Sequence, residues 1–115
     1  MFKTKAMSEI NARLLYTTFP DEASAKEASE KLLDAKLIAC ANLLPQMASF
    51  YRWKGKIERE SEVVLLLKTT QDQFNAIDKW MKHHHPYDCP CLLSFSIEQG
   101  KAEYLAWIQE NVDPE

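Results

Sequence analysis

Hydrophobic and polar positions change their period several times along the chain, and each change marks an element. Arg13-Leu14-Leu15-Tyr16-Thr17-Thr18-Phe19, in a stretch opening at Asn11, is rich in aliphatic, aromatic and β-branched residues and reads as a buried strand. Pro20 and Asp21 end it. Asp21 is a candidate N-cap for a helix from Glu22 to Lys36. Ala25, Ala28, Leu32 and Ala35 share one face of that helix, so it can lie close on a sheet, and Glu27 stands four residues before Lys31, the spacing of an ion pair. Leu37 to Leu44 is an apolar run closed by Pro45 and predicts a strand buried on both faces. Ser49-Phe50-Tyr51-Arg52-Trp53 alternates and predicts another, and Lys54-Gly55-Lys56 a tight turn. Ile57 to Thr70 returns as a long strand, an exposed arm in its polar first half and a sheet centre from Val63 to Leu67. Thr70-Gln71-Asp72-Gln73 has the capping-box pattern. The helix after it carries Phe74, Ile77, Met81 and His84 on one face, so His84 is expected to point inward. Leu92 to Ile97 predicts a strand, Gly100 a break, and Lys101 to Asn111 a last helix anchored by Tyr104, Leu105, Trp107 and Ile108.

This order is the split β-α-β pattern: an α+β, ferredoxin-like βαββαβ sandwich with a C-terminal helix. Its sheet has two helices on one face, and the chain offers no third layer for the other. That deficit, and an aromatic arm from Phe50 to Ile57 too long for an isolated hairpin, predict an oligomer, most simply a cyclic one. Residues 1–10 read as a flexible polar arm, and 11–112 as a single domain.

Composition narrows the function classes. The chain has 115 residues and a net charge of -3 from 14 basic and 17 acidic side chains, which argues against nucleic acid as a partner. Its glycines, Gly55 and Gly100, cannot build a phosphate-cradling loop. The longest strictly aliphatic run, Val63 to Leu67, falls far short of the roughly 20 residues of a membrane span. Cys40, Cys89 and Cys91 are an odd set, and the last two flank Pro90 too closely for an easy bridge. Reduced thiols and a cytoplasmic protein are the expectation.

His83, His84, His85, Cys89 and Cys91 crowd into nine residues, and imidazole with thiolate suits copper or zinc over magnesium or calcium. Consecutive helical residues cannot all reach one ion, so an inward His84 separates from His83 and His85, and Cys89 and Cys91 stand as candidate thiol ligands. The competing interpretation is a histidine at a helix C-terminus bonded to backbone carbonyls, beside inert thiols. Cys40, between two alanines, reads as a buried structural thiol. Lys68, closing an aliphatic strand, needs a carboxylate or a ligand anion, Glu62 being one candidate. Tyr51, Trp53 and Tyr87 suit a subunit interface or an inter-subunit cleft.

Several segments, taken in order, carry a resemblance: Thr18-Phe19-Pro20-Asp21-Glu22, Leu37-Ile38-Ala39-Cys40-Ala41-Asn42, Tyr51-Arg52-Trp53-Lys54-Gly55-Lys56, Leu67-Lys68-Thr69, His84-His85-Pro86-Tyr87, Pro90 and Tyr104-Leu105-Ala106-Trp107. From about residue 12 to residue 109 the chain resembles the CutA family of divalent-cation-tolerance proteins. The resemblance implies a ferredoxin-like homotrimer, cytoplasmic, associated with tolerance to copper and other divalent cations, and not an enzyme. It also implies a metal site using the histidine before His-Pro-Tyr, here His84, and a glutamate after Pro90, where this chain has Cys91. A first-strand cysteine of some members falls on Thr17, while the second-strand one stands as Cys40. Metal binding without catalysis is the expected function. A trimer resembling PII signalling proteins, binding a small anion near Lys68, Trp53 and Tyr87, and a scaffold trimer are the alternatives.

Overall fold

Eight residues, Ala12–Phe19, form the strand β1 at the heart of a four-stranded sheet. In this computed structural model, residues 11–113 are described, and the expected arm at 1–10 lies outside them. After β1 come helix α1 (Glu22–Asp34), strands β2 (Cys40–Trp53) and β3 (Lys56–Thr70), helix α2 (Phe74–His84), strand β4 (Leu92–Ser96) and helix α3 (Ala102–Glu110). The sheet order is β2-β3-β1-β4, antiparallel throughout. This is the ferredoxin-like arrangement the hydrophobic pattern predicts.

Register decides the faces. Leu15 lies opposite Leu67 and Phe19 opposite Val63. These residues, with Leu65, pack under Ala25, Ala28 and Leu32 of α1 and Ile77 and Met81 of α2. On the other face, α3 sets Leu105, Ile108 and Val112 over Ala12 and Ala39 and covers one end only. The remainder is open, and there Leu93 and Phe95 are 51% and 52% exposed. Beyond the sheet the β2–β3 hairpin projects as an arm, which draws the molecule out to 55 Å against 26 and 22 Å in its other dimensions. Lys54 (φ 49°) and Gly55 (φ 79°) make its two-residue turn, with positive φ at both positions as that turn requires.

Helix α1 begins as its sequence suggests: the Asp21 carboxylate accepts from the Ser24 N–H at 2.8 Å. That bond holds the Asp21 carboxyl below its ordinary range. The helix ends in a paired closure, Lys36 N–H to Leu33 O at 3.0 Å and Leu37 N–H to Leu32 O at 3.1 Å. Lys36 occupies the left-handed position of this closure at φ 60°, where glycine carries no Cβ penalty. Lys36→Gly is expected to raise stability by about 0.5–1 kcal/mol, read as a shift of the denaturant midpoint at constant slope.

Several sequence expectations give way. Leu37 to Ala39 form the turn after α1, and the strand begins at Cys40. Pro45 does not end a strand. It sits with Gln46 (φ 57°) in a bulge between Leu44 and Met47, and β2 resumes into the arm. A proline is tolerated there because β2 is the edge strand of the sheet formed by the described residues. The capping box does not close: Thr70 Oγ1 bonds Asp72, and the Gln73 amide donates to Asp113 O at 2.6 Å. The residues Gln71–Gln73 form a 3-10 turn instead. Strand β4 stops at Ser96, one residue short of the expected Ile97. Among the described residues Glu27 and Lys31 do not pair; the ion pair on α1 is Lys26–Glu22 at 3.7 Å.

Candidate functional site

The open sheet face carries a polar cluster centred on Glu62, at the point where β3 turns from arm to sheet. Glu62 pairs with Met47 across the strands, just past the bulge, so its carboxylate faces the same side as Ser49. The Ser49 hydroxyl donates to Glu62 Oε1 at 2.6 Å, and the Tyr87 hydroxyl to Oε2 at 2.8 Å. Farther along the arm, Tyr51 donates to Glu60 at 3.5 Å. Burial, then the bond to Glu62, pushes the Tyr87 hydroxyl far above the ordinary tyrosine range. The Tyr16 hydroxyl, which donates to Met47 Sδ at 3.6 Å, is also raised, by burial and then by the charges of Cys91 and Glu62.

His85 links this cluster to the core. The periodicity that suggests an inward His84 is off by one residue. Ile77 and Met81 are buried, and the next inward position is four residues on, at His85, the cap where α2 ends. Its ring stacks on Phe19 at 4.2 Å. The Tyr87 N–H donates to His85 Nδ1 at 3.0 Å, which leaves the ring proton on Nε2, donated to Thr18 O at 2.8 Å. Burial lowers the His85 pKa, so the ring is neutral near pH 7. With both nitrogens engaged, it can ligate a metal only by giving up one of these bonds.

The other candidates are scattered. His84 is exposed, tilted against Trp80 at 4.7 Å in a cleft between α1 and α2. His83 bonds Lys79 O at 2.9 Å, as a histidine in the last turn of a helix commonly does. Cys89 is exposed and Cys91 half-buried, and all three cysteines are free thiols. Cys91 lies close enough to Glu62 and Tyr16 to feel their charge. Its thiol is pushed up by burial and then by Glu62, the opposite of an activated nucleophile. His84 and Cys91 are therefore not neighbours within one chain: one lines the helix cleft, the other the open face. Among the described residues no three His, Cys, Asp or Glu side chains converge as metal ligands. Cys40, expected in the core, is half-buried beside Asn42. Lys68 is not held by Glu62; its ammonium donates to the Tyr104 hydroxyl at 3.1 Å and lies 5.3 Å from that ring. This bond raises its pKa against the opposing effect of burial. Tyr51 and Trp53 lie exposed along the arm. Glu62 as an anchor for Ser49 and Tyr87 is what the sequence does not reveal, because Tyr87 lies 25 residues away.

The sequence model of a family described as CutA1 divalent ion tolerance protein matches residues 13–111 of this chain. The chain belongs to the CutA1 family. The divalent-cation tolerance protein CutA of Yersinia pestis (strain Pestoides F) is 41% identical over 112 residues, covering 97% of this chain and 94% of the relative. Among solved structures, CutA1 from Oryza sativa superposes with a TM-score of 0.90 at 28% identity, over 92% of this chain and 97% of its own. The periplasmic divalent cation tolerance protein CutA from Archaeoglobus fulgidus gives 0.86 at 36% identity, over 89% and 99%. The matched range thus spans nearly the whole fold, from β1 to α3.

Proposed function

We propose that this CutA1 protein serves divalent-metal tolerance as a homotrimer that binds copper or zinc and catalyses no reaction. The observation that carries the reading is an uncovered, apolar-rimmed sheet face that holds the Glu62 carboxylate near enough to the Cys91 thiol for its charge to raise it. Thiolate with carboxylate or imidazole suits these two ions. One chain supplies too few converging donors, so completing a coordination sphere calls on a second copy. The open face and the arm, with Trp53 59% and Ile57 73% exposed, are surfaces a neighbouring copy would bury.

Binding rather than catalysis is supported by the state of the cluster. His85 has both ring nitrogens engaged, and burial lowers its pKa while it raises those of the Cys91 thiol and the Tyr87 hydroxyl, the opposite of an activated acid-base pair. Three free thiols accord with a reducing compartment, the cytoplasm, although the Archaeoglobus fulgidus relative is named periplasmic. The test is a competition titration of the reduced protein with Cu(I), Cu(II) and Zn(II) against a chelator of known affinity. Cys91→Ser is expected to weaken binding at least tenfold, whereas His84→Ala, in the helix cleft on the other side of the sheet, is expected to leave it unchanged. Affinity unchanged in Cys91→Ser would overturn the proposal. A second reading, a small anion bound between subunits, rests on Lys68, whose partner is a phenol rather than a carboxylate. Metabolite-induced quenching of tryptophan fluorescence in the absence of metal would favour it.

A further inference from the structure

A cleft of about 190 Å³ opens between α1 and the end of α2, on the helix-covered side of the sheet and so away from the Glu62 cluster. Trp80 and His84, packed against each other at 4.7 Å, and Pro86 border it from the α2 side. From α1 come Ala28, Glu27 and Lys31. A glutamate four residues before a lysine ordinarily forms a helix-surface ion pair. Here it does not: among the described residues the ion pairs are Lys26–Glu22 and Lys101–Glu103. The cleft therefore presents one unpaired carboxylate, one unpaired ammonium a helical turn away, and an aromatic wall.

We propose that this cleft binds a small zwitterion with an aromatic group, the chemistry of a free aromatic α-amino acid. The ligand's ammonium meets Glu27, its carboxylate meets Lys31, and its ring lies against Trp80 and His84. An α-amino acid carries both charges on one carbon. It therefore matches two side chains whose Cβ atoms stand about 5–6 Å apart on a helix surface. Either charge alone would leave one side of the cleft unmatched. The volume lies below the roughly 300–1,000 Å³ of pockets for drug-sized ligands, which points to a ligand of about a dozen non-hydrogen atoms. The aromatic wall favours a flat ring over an aliphatic chain through stacking.

L-phenylalanine is the probe, titrated into the intact protein in the presence of a metal chelator and followed by the Trp80 indole N–H resonance. Saturable binding is expected, weakened at least tenfold by Glu27→Gln and by Lys31→Met. Phenylacetate, which lacks the ammonium, and phenethylamine, which lacks the carboxylate, are each expected to bind the unmodified protein at least tenfold more weakly. Both substitutions are at exposed positions, and the comparison of the three ligands on the unmodified protein needs no variant. Absence of a saturable shift, equal binding of all three ligands, or affinity that survives both substitutions would overturn the proposal. Because Glu27→Gln and Lys31→Met leave His84 and Cys91 in place, and the chelator removes metal, failure here leaves the copper or zinc reading standing.

Discussion

Leu93→Glu combined with Phe95→Glu is expected to turn the proposed homotrimer into monomers that keep their fold. Both side chains stand on the face that α3 leaves open, half-exposed, and neither belongs to the core under α1 and α2. Far-UV circular dichroism should therefore change little. In the proposed trimer these positions are buried against a neighbour, and a carboxylate introduced there loses its water without gaining a partner. Such burial costs about 3–5 kcal/mol, so association should weaken by at least about a hundredfold. Sedimentation velocity at micromolar concentration would show the species of one chain in place of the species of three. An unchanged sedimentation coefficient would mean that the open face is not where the copies meet.

His85→Phe is the second substitution with a large expected effect, because one ring holds two backbone groups at once. Losing it leaves the Tyr87 N–H and the Thr18 carbonyl without their partner and frees the segment that brings Tyr87 to Glu62. A loss of about 1–3 kcal/mol is expected even though the new ring can still pack on Phe19. The same contacts make the native protein acid-sensitive, and the sign follows from burial. The folded-state pKa of His85 is lowered, so from the unfolded value of about 6.5 downward the unfolded chain takes up the proton first. The stability that neutral His85 contributes is present above pH 6.5 and is lost as pH falls through the folded-state pKa. Protonation would also set an N–H at Nδ1 against the Tyr87 N–H, which breaks that bond. Urea midpoints measured from pH 7.5 down to pH 5 should fall for the native protein, and that part of the slope should vanish in His85→Phe. Equal slopes would show that another group controls the acid limb.

How much of this was readable in the sequence depends on the range of the interaction that decides each feature. Element order, the projecting arm and the uncovered face were legible because periodicity is local and the chain has no third layer to offer. Strand β2 was not legible as one strand, since Pro45 normally closes a run. Only its place at the sheet edge, a long-range fact, lets the bulge at Gln46 carry the strand onward. Glu27 and Lys31 have the spacing of an ion pair, yet both border the α1–α2 cleft and stay apart. In the candidate site the residue types were visible but not their directions. Three consecutive histidines look alike in sequence, and the last turn of α2 sends each to a different partner. His83 bonds a carbonyl of its own helix, His84 packs on Trp80, and His85 enters the core. Cys91 stands out by its residue type, whereas Glu62 gains its role only through Ser49 and Tyr87, which reach it from other segments.

Native mass spectrometry of the protein after exposure to Cu(I) or Zn(II) and removal of weakly held ions reads assembly and metal content together. A species of three 13.3 kDa chains, about 40 kDa, carrying bound metal is expected, with the metal lost in Cys91→Ser while the three-chain mass remains. A metal-free trimer would contradict metal binding, and a monomer that retains its metal would contradict a site completed between subunits.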